Sequence, residues 1–115
     1  MKLYINTAKN SIIIVELRQG NEVLFSKSIE AQHKQAEKLL PLVDQLLKVK
    51  KLNLHDIKAI VVENIGEGFT SLRIGVATAN ALAYALGIPL EVPHSGRVKI
   101  VEPKYNKAPS ITIKK

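Results

Sequence analysis

Apolar and β-branched residues dominate three short segments at the start of the chain, residues 2–6, 11–17 and 22–28. Each segment has the length of a strand, and Gln19-Gly20-Asn21 between the last two reads as a hairpin turn. The consecutive isoleucines of the second segment predict a strand that is buried on both faces. The chain is therefore expected to begin with three antiparallel strands.

Residues 31–50 have a different period. Apolar side chains recur there at helical spacing and the residues between them are mostly charged or amidic, which predicts a long helix. Pro41 lies inside this pattern, where it removes one backbone hydrogen bond and should bend the helix. Lys48, Lys50 and Lys51 stand at the C-terminal end, where cations complement the helix dipole. That explanation of the three lysines requires no ligand.

Residues 57–87 form the central unit of the chain. The apolar run 57–62 predicts a buried strand, and the pattern from Leu72 to Leu86 predicts a second helix that Gly87 ends. We expect Thr70 or Ser71 to cap this helix. In the connecting loop we expect Gly66 or Gly68 to adopt a positive φ. The loop reads as a tight crossover rather than an anion site, because Glu67 would repel an anion.

The second helix has few polar side chains. An ordinary surface helix keeps a polar stripe toward water, whereas small residues surround much of this one. The helix is either covered by another helix of the same chain or bound by a partner protein, and the short chain favours a partner. Arg73 is poorly placed for the helix dipole in the first turn, so we expect it to have a functional role.

The predicted order β-β-β-α-β-α-β, completed by a strand at residues 90–92, is that of a ribonuclease H-like single lobe of the actin-like ATPase superfamily. This is an α/β fold with a mixed five-stranded sheet and two long helices. We divide the chain into this lobe, residues 1–92, and a basic extended tail, residues 93–115. The tail is rich in Lys and Arg, and it can serve as an edge strand, a partner-docking arm or an RNA-binding arm.

Composition narrows the classes of function. The 115 residues suit one domain, and the absence of cysteine excludes disulfides, thiolate metal sites and cysteine nucleophiles. The formal net charge of +7 weakly favours an anionic neighbour such as RNA, although lysines also serve solubility. No signal peptide or membrane-spanning run is visible, so we expect a cytoplasmic protein without membrane contacts.

Three motifs together resemble the TsaB family, also called YeaZ. They are Asn6-Thr7 after the first strand, Leu39-Leu40-Pro41 in the first helix, and the stretch from Gly66 to Gly75. In that stretch Phe69, Thr70, Arg73, Ile74 and Gly75 match the family pattern one for one. Pro103-Lys104-Tyr105 also resembles the Pro-x-Tyr near the end of full-length members. The sequence departs from the family in having Asn6 for an aspartate and Ser71 for a glycine, in displaced loop glycines, and in lacking the second half.

The resemblance implies a role in forming threonylcarbamoyladenosine at position 37 of tRNA. It implies a non-catalytic subunit that pairs through its two helices with the catalytic subunit TsaD and can also self-associate. TsaC and the ATPase TsaE are further members of the pathway, so the wider complex uses ATP while this chain binds no cofactor alone. The candidate partner-binding residues are Leu72, Arg73, Val76, Ala79, Asn80, Ala83, Leu39 and Val43.

Enzymatic interpretations find little support in the sequence. Asn6-Thr7-Ala8-Lys9 has neither the acid nor the glycine of an actin-like phosphate loop. His33, His55 and His94 lie far apart, and no nucleophile or metal set supports a glycoprotease. The alternative to an assembly subunit is a small tRNA-contacting module that uses the tail lysines Lys104, Lys107, Lys114 and Lys115.

Overall fold

The structure, a computed structural model, describes residues 1–9, 11–31, 34–66, 69–93, 96–98 and 104–105. Their elements are, in chain order, β1 Lys2–Asn6, β2 Ile12–Gln19, β3 Glu22–Glu30, α1 Gln35–Val49, a single 3-10 turn Leu54–Asp56, β4 Ala59–Val62, β5 Ile65–Gly66, α2 Phe69–Leu86, β6 Leu90–Val92, β7 Gly96–Val98 and β8 Lys104–Tyr105.

One mixed sheet of six strands, in the order β3-β2-β1-β4-β6-β7, organises the molecule. β1, β2 and β3 pair antiparallel, β4 lies parallel to β1, and β6 lies parallel to β4. This confirms the predicted α/β fold with its five strands in order. β7, in the predicted tail, adds a sixth strand at the edge of the sheet, which is one of the three roles left open for that tail. β5 pairs with β8 in a separate parallel ladder. The division between lobe and tail at residue 92 remains a prediction.

The core lies between the sheet and the two helices. α1 packs on β2 and β3, α2 packs on β1, β4 and β6, and the helices contact each other. Leu3 and Ile5 of β1 and Ile60 and Val62 of β4 all lie fully buried in this one cluster. Because side chains alternate along a strand, these residues define the inner face of the sheet. We call the opposite face the outer face of the sheet.

The prediction that β2 is buried on both faces was wrong. Ile13, Val15 and Leu17 are buried on the inner face, whereas Ile14 and Glu16 on the outer face are only half-buried. The reason is that both helices cover the same side of the sheet. A run of isoleucines cannot distinguish a strand covered on two sides from one whose second face is partly exposed.

Both helices begin at other residues than predicted and end close to the predicted residues. α2 begins at Phe69, so Thr70 and Ser71 lie in its first turn and the prediction that either caps it was wrong. Gly87 follows α2 with φ +65°, as predicted for a residue that ends a helix. α1 begins at Gln35, later than the predicted residue 31, and contains Pro41 as predicted.

Candidate partner interface

The stripe of α2 that faces the sheet contains four of the residues predicted to contact a partner. Leu72 and Ala79 are 0% exposed, and Val76 and Ala83 are almost as fully buried in the chain's own core. Leu39 and Val43 of α1 are buried in the same cluster. For these six residues the predicted partner contact was wrong, because their surface is already covered within the chain.

The opposite side of α2 is exposed and almost entirely apolar or small. Residues 73, 77, 81 and 84 recur every three or four positions and therefore share one side of the helix. We call this side the outer face of α2, and its exposed residues are Arg73, Ala77, Ala81, Tyr84 and Ala85. Tyr84 is 91% exposed, the largest value among the exposed large apolar side chains of the described residues. The described part of the chain therefore leaves this side of α2 exposed.

The two polar residues among the predicted partner contacts differ in exposure. Arg73 is exposed on the outer face, one turn after the start of α2. Asn80 is half-buried, and its Nδ2 donates a hydrogen bond to the Val76 carbonyl oxygen at 2.9 Å. Arg73 thus lies at the surface, whereas the amide of Asn80 donates to the backbone of its own helix.

Ala77, Ala81 and Tyr84 were not among the residues predicted to contact a partner, because α2 carries no polar stripe to mark its solvent side. Alanines occur on both sides, so periodicity alone did not show which of them face the sheet. Tyr84 offered the one usable signal, since a tyrosine hydroxyl favours a wet or interfacial position. Its distance of three residues from Ala81 would have placed both on the outer face.

Thr7, after β1, fastens the first turns of α2 to the sheet. Its Oγ1 donates a hydrogen bond to the Ser71 carbonyl oxygen at 2.6 Å, and the residue is 0% exposed. A Cβ atom added at Gly75 would overlap this Thr7 hydroxyl. The absence of a side chain at Gly75 therefore lets α2 approach the end of β1 closely. This close approach explains why the motif has a glycine at this position.

Gly66, in β5, also lies very close to the residues that follow β1. A Cβ atom there would lie 2.6 Å from Cβ of Ala8, so only glycine fits. Its φ is not positive, so the reason for glycine at this position is close approach. The prediction was that Gly66 or Gly68 adopts a positive φ, and Gly66 does not. Gly68, the alternative in that prediction, lies outside the described residues. The crossover loop and the residues after β1 therefore pack directly against each other.

Asn6 stands where family members carry an aspartate, and its side chain supports this loop. Its Nδ2 donates to the Tyr4 hydroxyl at 3.0 Å, and its Oδ1 accepts from the Ala8 backbone N–H at 2.8 Å. The neutral amide can make both bonds at once because it contains a donor and an acceptor. Asn6 is thus engaged in structure at the position where an actin-like enzyme needs its acid.

Tyr4 lies on the outer face of the sheet among charged neighbours. Arg18 lies over its ring at 3.8 Å from the centroid and pairs with Glu16 at 2.7 Å. Burial raises the pKa of the Tyr4 hydroxyl, and the nearby carboxylate of Glu63 raises it further. A second ion pair joins Lys2 of β1 to Glu91 of β6 at 2.8 Å. These two ion pairs place four charged side chains on this face.

The remaining features of the sequence concern metal ligands, RNA-binding lysines and membrane-spanning helices. No group of three or more His, Asp or Glu side chains there could hold a metal ion. His55 is exposed, whereas His33 and His94 lie outside the described residues. Of the predicted RNA-binding lysines, Lys104 is in β8 and Lys107, Lys114 and Lys115 lie outside. Within these same ranges, no helix is long and apolar enough to span a bilayer.

Comparison with known proteins identifies the family. The family model of TsaD, tRNA N6-adenosine threonylcarbamoyltransferase, matches residues 27–113. Uncharacterized proteins of Mycobacterium tuberculosis and Mycobacterium bovis are 36% identical over 90 residues, which cover 76% of this chain and 42% of each relative. The chain therefore spans less than half the length of these relatives.

Solved structures agree with this result. YeaZ from Pseudomonas aeruginosa superposes with a TM-score of 0.70 at 28% identity, covering 79% of this chain and 42% of that one. A Pseudomonas aeruginosa protein described as similar to peptidase YeaZ gives a TM-score of 0.71 at 28% identity, covering 79% of this chain and 41% of that one. The chain belongs to the TsaD family and is a YeaZ-like, or TsaB-like, member of it.

Proposed function

We propose that this chain is a non-catalytic subunit that binds TsaD in the formation of threonylcarbamoyladenosine at position 37 of tRNA. The family match and the likeness to YeaZ support a role in this pathway. The observation that carries the pairing itself is the outer face of α2, because an exposed apolar helix face favours burial against another protein.

The shape of that face suits a helix of the partner. Ala77, Ala81 and Ala85 have side chains of one carbon atom, so a second helix can approach to the short end of the usual 8–10 Å between helix axes. Tyr84 supplies the large aromatic anchor that commonly carries much of the binding energy of an interface. Arg73 at one end can pair with an acidic residue of TsaD. A second copy of this chain can compete for the same face.

The residues after β1 support the non-catalytic part of the proposal. Thr7 fills the space beside the first turns of α2, and its hydroxyl is used by the Ser71 carbonyl. Asn6 has no acidic group and makes two structural hydrogen bonds. The side chains at the positions of an actin-like phosphate loop therefore stabilise the lobe, and catalysis is left to TsaD.

Reconstitution tests this role. Purified TsaD, TsaE and TsaC from the same organism are combined with ATP, the remaining substrates and an unmodified tRNA transcript, with and without this chain. We expect product only when both TsaD and this chain are present, and none when this chain replaces TsaD. Full product formation without this chain would contradict the proposed role, and product formation by this chain without TsaD would contradict its non-catalytic nature.

A further inference from the structure

Both helices end in the same backbone motif, but with different residues at its left-handed position. In α2, Gly87 has φ +65°, its N–H donates to the Tyr84 carbonyl, and the Ile88 N–H donates to the Ala83 carbonyl. In α1 the corresponding residue is Lys51, with φ +56° and a bond of 3.0 Å from its N–H to the Lys48 carbonyl. Lys51 is the only non-glycine residue with a positive φ in the described part of the chain.

A lysine at this position does not serve helix stability. A side chain in the left-handed region brings Cβ close to the following carbonyl, so glycine is the usual residue there. The favourable interaction with the helix dipole is already supplied by Lys48 in the last turn, which also pairs with Asp44 at 2.9 Å. A strained residue that local stability does not explain points to a function of its side chain.

Two further lysines lie at the same end of the sheet as Lys51. Lys50 precedes it, and its Nζ is held over the Phe25 ring at 4.8 Å from the centroid. Lys58 directly precedes β4. Its backbone N–H donates a hydrogen bond to the Met1 carbonyl oxygen, and its Nζ donates one to the His55 carbonyl oxygen at 3.4 Å. We call Lys50, Lys51 and Lys58, at the end of the sheet where β1 and β4 begin, the basic end.

The carboxylates nearest in sequence to the basic end are already engaged. Asp44 pairs with Lys48, and Asp56 accepts the backbone N–H of Asn53 at 2.9 Å in the cap of the 3-10 turn. Within the described ranges, no carboxylate forms an ion pair with Lys50, Lys51 or Lys58. Their positive charge is therefore not neutralised by an ion pair.

One residue of the basic end, Lys58, also lines a concave surface. An open groove of about 290 Å³ is lined by Leu54, His55, Ile57, Lys58, Leu86 and Ile88. Apart from His55, the other lining residues are apolar, and such low-dielectric walls strengthen the field of the Lys58 cation more than a flat surface does. The formal net charge of +7 for the whole chain acts in the same direction.

We propose that the basic end binds the phosphate backbone of an RNA strand. Lysine recognises phosphate as a point charge, and each contact releases counterions from the strand. The choice of RNA over other polyanions rests on the proposed function, because the substrate of that pathway is a tRNA. This surface consists of described residues and shares no residue with the outer face of α2 or with the predicted tail lysines.

A salt series of tRNA binding to the isolated chain tests the proposal. Lys50, Lys51 and Lys58 are replaced together by Gln, and the matched control replaces the exposed Lys9, Lys34 and Lys38 by Gln. We expect the basic-end variant to bind roughly tenfold or more weakly and to lose about two to three units of the slope of log K against log salt concentration. An equal loss in the control, or an unchanged slope in the basic-end variant, would overturn the proposal.

Lys51→Gly separates binding from folding, because it relieves strain while removing a cation. We expect its midpoint of thermal unfolding to rise by roughly 4 °C and its tRNA binding to lose about one unit of salt slope. A stabilised variant with unchanged tRNA binding would contradict the proposal. So would a basic-end variant that loses only binding to vesicles containing phosphatidylserine. Because TsaD is absent from these assays, their outcome is independent of whether the chain pairs with TsaD.

Discussion

The hydroxyl of Thr7 joins the end of β1 to α2 by one buried hydrogen bond, and Gly75 provides the room for it. The two residues lie 68 positions apart and belong to two different motifs of the family resemblance. Both motifs are visible in the sequence, but the contact between them is not. A contact between residues so far apart depends on how the sheet and the helix pack against each other. Gly66 illustrates the same point, since a glycine in a loop suggests a positive φ and here it serves a close approach to Ala8.

Gly75→Ala is therefore expected to destabilise the protein, although alanine is the better helix former. The new methyl group overlaps the Thr7 hydroxyl, and overpacking of this kind costs about 1–3 kcal/mol of unfolding free energy. Urea denaturation measures the loss. The double variant with Thr7→Ala should lose less than the sum of the two single changes, because the two residues are in contact. A Gly75→Ala variant more stable than the wild type would contradict this view of the contact.

At the scale of elements, α2 carries two apolar faces with opposite surroundings. The inner stripe with Ala79 packs on the sheet, and the outer face with Ala81 and Tyr84 is exposed. The order of strands and helices followed from local periodicity, and so did the stop at Gly87. Which side of α2 faces the sheet did not follow, because alanine is compatible with both. The sequence allowed an edge strand in the tail but did not locate it, because Gly96–Val98 is short and lies in a stretch rich in proline and lysine.

An alanine-to-glutamate substitution is expected to affect stability differently on the two faces of α2. Ala79→Glu buries an unpaired carboxylate in the core, so we expect a loss of several kcal/mol of stability or failure to fold. Ala81→Glu places the carboxylate in water, and its effect on stability should stay within about 0.5 kcal/mol. Thermal unfolding followed by circular dichroism distinguishes the two variants. Equal destabilisation by both would mean that the outer face of α2 is covered.

At the scale of the whole molecule, three kinds of surface are separated. The helical side presents the apolar outer face of α2, and the outer face of the sheet carries the ion pairs Lys2–Glu91 and Arg18–Glu16. The basic end lies where β1 and β4 begin. This separation permits one chain to bind TsaD through a helix and an RNA strand through lysines at the same time, as the two proposals together require.

The most direct test of the central claim is the affinity of this chain for TsaD of the same organism, measured by titration calorimetry and checked by light scattering. Three proteins are compared: the wild type, Ala81→Glu on the outer face of α2, and Val23→Glu, which changes an exposed apolar residue of the β2–β3 hairpin in the same way.

We expect the wild type and Val23→Glu to bind TsaD alike. The Ala81→Glu variant should lose roughly 3–5 kcal/mol of binding free energy, more than a hundredfold in affinity, because a carboxylate would be buried without a partner. A wild-type chain that does not bind TsaD, or a folded Ala81→Glu variant that binds as tightly as the wild type, would contradict the claim that this face holds the partner.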